Sequence, residues 1–159
     1  MYLNKRKAIF LISILSLVFL LTINDIKSQE LKVIDGDTIH LNDEKIRFTG
    51  IDTPELKQTC IKEGVINQCG LTAKKILIEK IGNSKVKCIS EGKDQYKRIL
   101  AECFVDSESL SSYLVRRGYA FAYKKYSKKF IKDEDYARTK KIGMWAMEFD
   151  YPWDYRRNN

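Results

Sequence analysis

The spacing of apolar residues changes twice along this chain, and those changes limit the folds open to it. Between residues 31 and 51 apolar and polar side chains alternate, as in strands with one face buried. Two turn-forming clusters, Asp35-Gly36-Asp37 and Asn42-Asp43-Glu44, interrupt the alternation. It stops at Asp52-Thr53-Pro54-Glu55, where proline cannot continue an interior strand. From Cys69 to Ile81 the period lengthens, and Ala73, Ile76, Leu77 and Ile81 fall on one stripe of a helix. Strand-like runs return at 86–89 and 99–105, and the polar stretch from Ser90 to Arg98 between them suits a hairpin. Ser107 is suited to cap a second helix that buries Leu110, Tyr113 and Leu114 and ends at Gly118. A third helix is predicted from about Lys132 to Ile142, with Asp133, Glu134 and Asp135 first and Lys140 and Lys141 last, as the helix dipole favours. Strands at 31–34, 38–41, 45–51, 86–89 and 99–105 with these helices predict an α+β chain that is mainly β. The expected form is a small five-stranded barrel with about three helices packed on it.

Lys5, Arg6 and Lys7 precede a 16-residue apolar stretch from Ala8 to Ile23, which the polar run Asn24 to Ser28 closes. This is the outline of an export signal; a retained membrane tether through residues 8–23 stays open beside cleavage after Ser28. Residues 1–28 are therefore read as a signal peptide or N-terminal membrane anchor, and residues 29–159 as a single domain. The remainder is long enough for one hydrophobic core and too short for two. It carries 25 basic against 20 acidic side chains, so +5 of the chain's +8 belongs to the domain itself. Such a surface attracts polyanions in general. The expected location is exported, periplasmic or extracellular, with membrane attachment if the leader stays.

Four cysteines, all beyond the leader, suit an oxidising compartment. Three pairings are possible; nearest neighbours close the loops from Cys60 to Cys69 and from Cys88 to Cys103, the latter as a bridge across the expected hairpin. The spacings are not those of a zinc site, and the single histidine, His40, has no partner of its kind.

Acidic residues gather at two bends: Asp35 and Asp37 flank Gly36, and Asp52 and Glu55 flank Thr53-Pro54. If folding brings the bends together, that much negative charge calls for a cation, and hard oxygen ligands select Ca²⁺ or Mg²⁺. Arg47, five residues before Asp52, adds a guanidinium. Carboxylates, a divalent cation and arginine are what attack on a phosphodiester requires. Each bend taken alone is equally an ordinary turn former. Further on, Tyr123, Lys124, Lys125 and Tyr126 lie in an aromatic and basic stretch from Tyr119 to Phe130. That pattern suits bases stacking while lysines follow a phosphate backbone, or tyrosines covering the barrel beside a solvated basic face.

In order and spacing, several elements resemble the signature of the staphylococcal nuclease (thermonuclease) family. They are Val33-Ile34-Asp35-Gly36-Asp37-Thr38, Arg47, Asp52-Thr53-Pro54-Glu55, Asp94-x-Tyr96-x-Arg98, Gly118 with Ala120, and Ile142-Gly143-x-Trp145. The resemblance runs from about Lys32 to Trp145 and implies an OB-fold barrel. It implies a Ca²⁺-dependent nuclease that cuts DNA and RNA with little sequence preference and leaves 3′-phosphates. It further implies Asp37 and Asp52 as side-chain Ca²⁺ ligands, the backbone carbonyl of Thr53 as a third ligand, and Asp35 as an outer-shell partner. Glu55 corresponds to the general base or orienter of the attacking water, and Arg47 and Arg98 to the phosphate-clamping arginines. Tyr96, Tyr123, Tyr126, Lys124 and Lys125 are the expected nucleic-acid contacts. Where the family has Tyr-Gly-Arg, this chain has Tyr96-Lys97-Arg98. The Cys60 and Cys69 loop and the closing Pro152-Trp153 with Arg156 and Arg157 resemble a cysteine-containing exported branch. A monomer acting on DNA and RNA is expected. The rival is a nuclease-fold module that binds nucleic acid without cutting; such a module would be expected to lack some of these carboxylates or arginines, all of which are present here.

Overall fold

The alternating first half of the domain folds into three antiparallel strands, β1 (Leu31–Val33), β2 (Thr38–Leu41) and β3 (Glu44–Phe48), in a computed structural model that describes residues 29–159. The leader falls outside the described residues. Asn42 and Asp43, with φ of 49° and 67°, make the two-residue left-handed turn between β2 and β3 that their short polar side chains tolerate. The register sets Thr38 opposite Arg47. The segment expected as one strand from 45 to 51 is broken: Gly50, at φ 72°, turns the chain, and β4 (Ile51–Asp52) leaves for a different partner.

After β4 comes a hairpin that the sequence did not announce, β5 (Cys60–Lys62) and β6 (Val65–Asn67). Its Ile61, Val65 and Ile66 are exposed, so its apolar residues mark no buried face. Helix α1 (Cys69–Ile81) has the predicted bounds, and its stripe of Ala73, Ile76, Leu77 and Ile81 is buried. The chain returns in β7 (Lys87–Lys93) and β8 (Ile99–Val105), a hairpin longer than predicted, with an irregularity between Ser90 and Gly92. Strand β9 (Glu108–Ser109) folds back on β8. Parallel pairing of β3 with β8 joins the two hairpins into one curled sheet of order β1-β2-β3-β8-β7, the OB-like half-barrel.

Helix α2 (Leu110–Arg116) starts two residues later than predicted: Ser109 is its cap, with Oγ accepting from Ser112 N at 3.3 Å. Ser107 instead forms the β8–β9 turn with Asp106, both at positive φ. Strand β10 (Phe121–Ala122) pairs with β4, setting Phe121 opposite Asp52. Helix α3 (Ile131–Thr139) stops short of Ile142, since Lys141 takes a positive φ. A single 3-10 turn (Gly143–Ala146) leads to α4 (Pro152–Asn158), which begins on proline, where no N–H is required. The described residues thus contain four α-helices rather than three.

Both expected disulfides are present: Cys88 faces Cys103 across the β7–β8 ladder, and Cys60 at the start of β5 is tied to Cys69 at the start of α1. Closing loops of this length removes unfolded-chain entropy on the order of 2 to 3 kcal/mol per bridge. The main core lies between the sheet, α1 and α2, and includes Ile39, Phe48, Leu77, Leu110 and Leu114. A second core gathers the C-terminal aromatics around Phe121, whose ring lies 5.3 Å from Trp145, 5.2 Å from Phe149 and 5.1 Å from Tyr151. It fastens the last fifteen residues to the β4–β10 edge, beside the acidic bends.

Candidate active site

Asp37 comes directly before β2, and its backbone carbonyl accepts from Phe48 N at 2.8 Å, so the first acidic bend is tied to the end of β3. Gly36 lets that bend lie against the second one. A Cβ there would stand 2.9 Å from both Cβ and Oγ1 of Thr53 and 3.0 Å from Cβ of Ala73. Its backbone φ is not in the left-handed region, so close approach, rather than the turn the Asp-Gly pair suggests, is what requires glycine. Asp37 Oδ2 then accepts from Thr53 N at 3.1 Å. Asp37 and Asp52 are nearly inaccessible, at 2% and 0% exposure, so their charges need partners inside the protein.

Arg47 supplies one partner to both. Its Nη1 donates to Asp37 Oδ1 at 2.6 Å and its Nη2 to Asp52 Oδ1 at 2.8 Å. Burial pulls the Arg47 guanidinium down, but Asp37 and Asp52 more than offset it and hold the group protonated. Burial pushes the Asp37 carboxyl up to about 7, against the pull of Arg47 and with the support of Asp35 and Asp52. Asp35 Oδ1 accepts from Asp37 N at 3.0 Å and so shapes the bend.

Glu55 follows the Thr53-Pro54 bend and is half exposed. Its backbone N–H is held by the side chain of Gln58, a fully buried residue that also donates to Asp150 O at 2.7 Å. The loop is closed from the other side by α1, where Gly70 packs against the Glu55 backbone. Arg98 leads into β8, whose parallel pairing with β3 sets Leu100 beside Arg47. Asp94 shapes this turn by accepting from Tyr96 N at 2.9 Å, Arg98 N at 3.0 Å and Arg98 Nε at 2.6 Å. Lys97 takes φ 64°, so the residue that replaces the family's glycine is accommodated in a left-handed conformation.

Of these side chains, Asp35, Asp37, Arg47, Thr53, Glu55 and Arg98 line one cleft of about 830 Å³, with Tyr96, Tyr123 and Tyr126 on its wall, while Asp52 is fully buried and does not line it. Tyr123 is stacked on Trp153 at 5.8 Å and meets Tyr126 edge-on at 4.9 Å, while Tyr96 stands out, 71% exposed. The two lysines are not on this wall. Lys124 Nζ lies 2.5 Å from the buried carboxylate of Glu134, and Lys125 stands over the Tyr126 ring at 5.6 Å. Glu134 also accepts from Ala122 N at 3.0 Å, so the Lys124 pair helps fix β10. Among the cleft residues with no role assigned from sequence is Arg156 of α4, which reaches Asp52 and Glu55. Its only signal was the terminal Pro-Trp and Arg-Arg pattern, too short to reveal a helix by periodicity.

Among the described residues, no three acidic, histidine or cysteine side chains converge closely enough to enclose an ion by themselves. The donor set does fit a hard cation in a mixed site. Two buried carboxylates are joined by one guanidinium, with Asp35 near Asp37; burial, and then the neighbouring carboxylates, disfavour the Asp37 charge, which a divalent ion would favour.

An OB-like half-barrel that buries two paired carboxylates beside an open cleft flanked by arginines defines the class of fold and site. The family model described as staphylococcal nuclease homologue matches residues 45–147, and the chain belongs to that family. Similar proteins include an uncharacterized endonuclease of Haemophilus influenzae, 31% identical over 122 residues, covering 72% of this chain and 64% of that protein. The SPbeta prophage-derived endonuclease YokF of Bacillus subtilis is 30% identical over 128 residues, covering 72% and 42%. An uncharacterized endonuclease of Escherichia coli is 27% identical over 143 residues, covering 84% and 88%. The chain thus spans less than two thirds of the first two of these relatives. Among the described residues, no helix is long and apolar enough to cross a membrane.

Proposed function

We propose that this protein is an exported nuclease that hydrolyses phosphodiester bonds of DNA and RNA with the help of Ca²⁺. The observation that carries the reading is the meeting of Asp37 and Asp52, from two distant bends, on the single guanidinium of Arg47. The endonuclease names of its relatives and the oxidised cysteines support it. Asp37, Asp52 and the Thr53 carbonyl would hold the cation, with Asp35 behind them. When bound, Ca²⁺ would supply a fixed positive charge opposite the negative charge that builds on the phosphate oxygens.

The chain's own residues do the rest. Arg47 and Arg98 bind the non-bridging oxygens of the scissile phosphate, where a planar fork matches the geometry of two oxygens. Glu55, as general base, takes a proton from the water that attacks phosphorus. The bond from phosphorus to the 5′ oxygen breaks, the departing oxygen takes a proton from solvent, and a 3′-phosphate remains. Tyr96, Tyr123 and Tyr126 give the flanking bases flat surfaces for stacking, independent of sequence.

Degradation of plasmid DNA and of an RNA oligonucleotide is expected in Ca²⁺ and not in excess chelator. Glu55→Gln is expected to keep strand binding while turnover falls on the order of 10² to 10⁴-fold. Strand binding with no cleavage in Ca²⁺ by the unmodified protein would instead establish a binding module.

A pH dependence follows from Asp37. Its carboxyl is raised to about 7, so below that pH a proton occupies the oxygens a cation needs, and above it they are free. Calorimetric Ca²⁺ affinity is expected to weaken as pH falls from 8 to 6, and an affinity flat over that range would contradict the ligand role of Asp37.

A further inference from the structure

Arg156 lies on the C-terminal helix, more than a hundred residues from the bend it contacts. Its Nη2 donates to Asp52 Oδ2 at 2.6 Å, and its Nη1 reaches Asp52 Oδ1 at 3.1 Å and Glu55 Oε1 at 2.8 Å. Since Arg47 already binds Oδ1, both oxygens of the fully buried Asp52 are held by guanidinium groups, and Oδ2 has Arg156 as its partner.

The arm that delivers this guanidinium is firmly seated. Trp153 stacks between Tyr151 at 4.6 Å and Tyr123 at 5.8 Å. Gln58 ties Asp150 to the Glu55 loop, and Ile61 and Glu148 exchange backbone hydrogen bonds at 2.9 and 2.8 Å. The next residue, Arg157, is directed away, to Asp154 on its own helix at 2.8 Å. Of these two neighbouring arginines, only Arg156 is aimed at the acidic bends.

A hard cation needs Asp52 oxygen at about 2.3 to 2.6 Å, and it repels a guanidinium on the same atom. We propose that Arg156 is a tethered competitor for the cation: it neutralises Asp52 while the site is empty and must release Oδ2 for a divalent ion to bind. This rests on the cation-site reading given above. The cation then binds more weakly than it would without Arg156, which raises the concentration at which the site fills. It acts as a positioning residue through Asp52.

Calorimetric Ca²⁺ titration at pH 8 of the wild-type protein, Arg156→Gln, Arg156→Lys and Arg157→Gln tests this, with melting temperatures measured in chelator and in saturating Ca²⁺. Arg156→Gln is expected to bind Ca²⁺ roughly three- to tenfold more tightly than wild type, a direction that general damage to the site does not produce. In chelator it is expected to melt lower than wild type, and Ca²⁺ is expected to narrow that gap. Arg157→Gln is expected to match wild type. Lysine cannot hold both oxygens of Asp52, so Arg156→Lys is expected to tighten binding as well, and it decides the matter if the glutamine variant does not fold. Affinity equal to or weaker than wild type in the folded variants would overturn the competitor role while leaving the cation site standing. Absence of Ca²⁺ binding by wild type and variants alike would overturn the site reading and this proposal with it.

Discussion

Arg47→Ala is expected to lose about 3 kcal/mol of stability together with most of its turnover, the largest combined effect of any single change in the cleft. The reason is burial. Asp37 and Asp52 share this one guanidinium at 2.6 and 2.8 Å, and their side chains are 3% and 0% exposed. Removing it leaves Asp52 with Arg156 alone, and Asp37 with only neutral donors, Thr38 Oγ1 and Thr53 N. Urea denaturation in chelator reads the loss, and Ca²⁺ is expected to restore part of it by supplying another positive partner. Turnover under saturating Ca²⁺ is expected to stay lower by on the order of 10² to 10³-fold, because a donor to the phosphate oxygens is gone. An unchanged urea midpoint would contradict the account of the two carboxylates, and unchanged turnover would contradict the phosphate role.

Gly70→Ala is the second large effect, and it acts through backbone overlap rather than through charge. A Cβ at position 70 would stand 1.8 Å from Glu55 O, 2.6 Å from Glu55 C and 2.8 Å from Leu56 Cα. Those are backbone atoms, so no side-chain rotation relieves the overlap; the Glu55 loop or the start of α1 has to move. That loop is also held by Cys60–Cys69 and Gln58, so the displacement falls on Glu55 itself. A shift of about 1 Å in a reacting group is enough to reduce turnover on the order of 10²-fold. Overpacking of this kind also costs about 1 to 3 kcal/mol of stability. Asp37 stands on another segment, and Asp52 is held on β4 by pairing with β10 and by two guanidinium groups, so Ca²⁺ affinity is expected to change less than turnover. Normal kcat in a folded Gly70→Ala protein would mean that the position of Glu55 is not critical.

The limits of α1 were legible because they depend on local matters: a stripe at helical spacing between two breaks. The same holds for the β7–β8 pairing, where alternation and two cysteines put Cys88 opposite Cys103. The acidic bends were legible as chemistry, because Asp-Gly-Asp and Asp-Thr-Pro-Glu announce their residue types. The end of β3 was less so, since alternation continues through Gly50 while the backbone turns away there. Tyr119 to Phe130 reads as a single basic and aromatic stretch, yet its tyrosines 123 and 126 line the cleft and Lys124 is spent on the buried Glu134. Which role a lysine takes depends on the element packed against it, and no local pattern carries that.

By itself the sequence determined the strand and helix periods, the two cysteine loops, the family signature and the residue types available for phosphate chemistry, because each of these is written within a few neighbouring residues. Only the tertiary structure decided that Asp37 and Asp52 share one arginine, that Gly36 and Gly70 are there for close contact, and that helix α4 returns an arginine to the second acidic bend. Those outcomes depend on cross-sheet register and on an aromatic core built from segments far apart in the chain, and burial then fixes which charges must find each other.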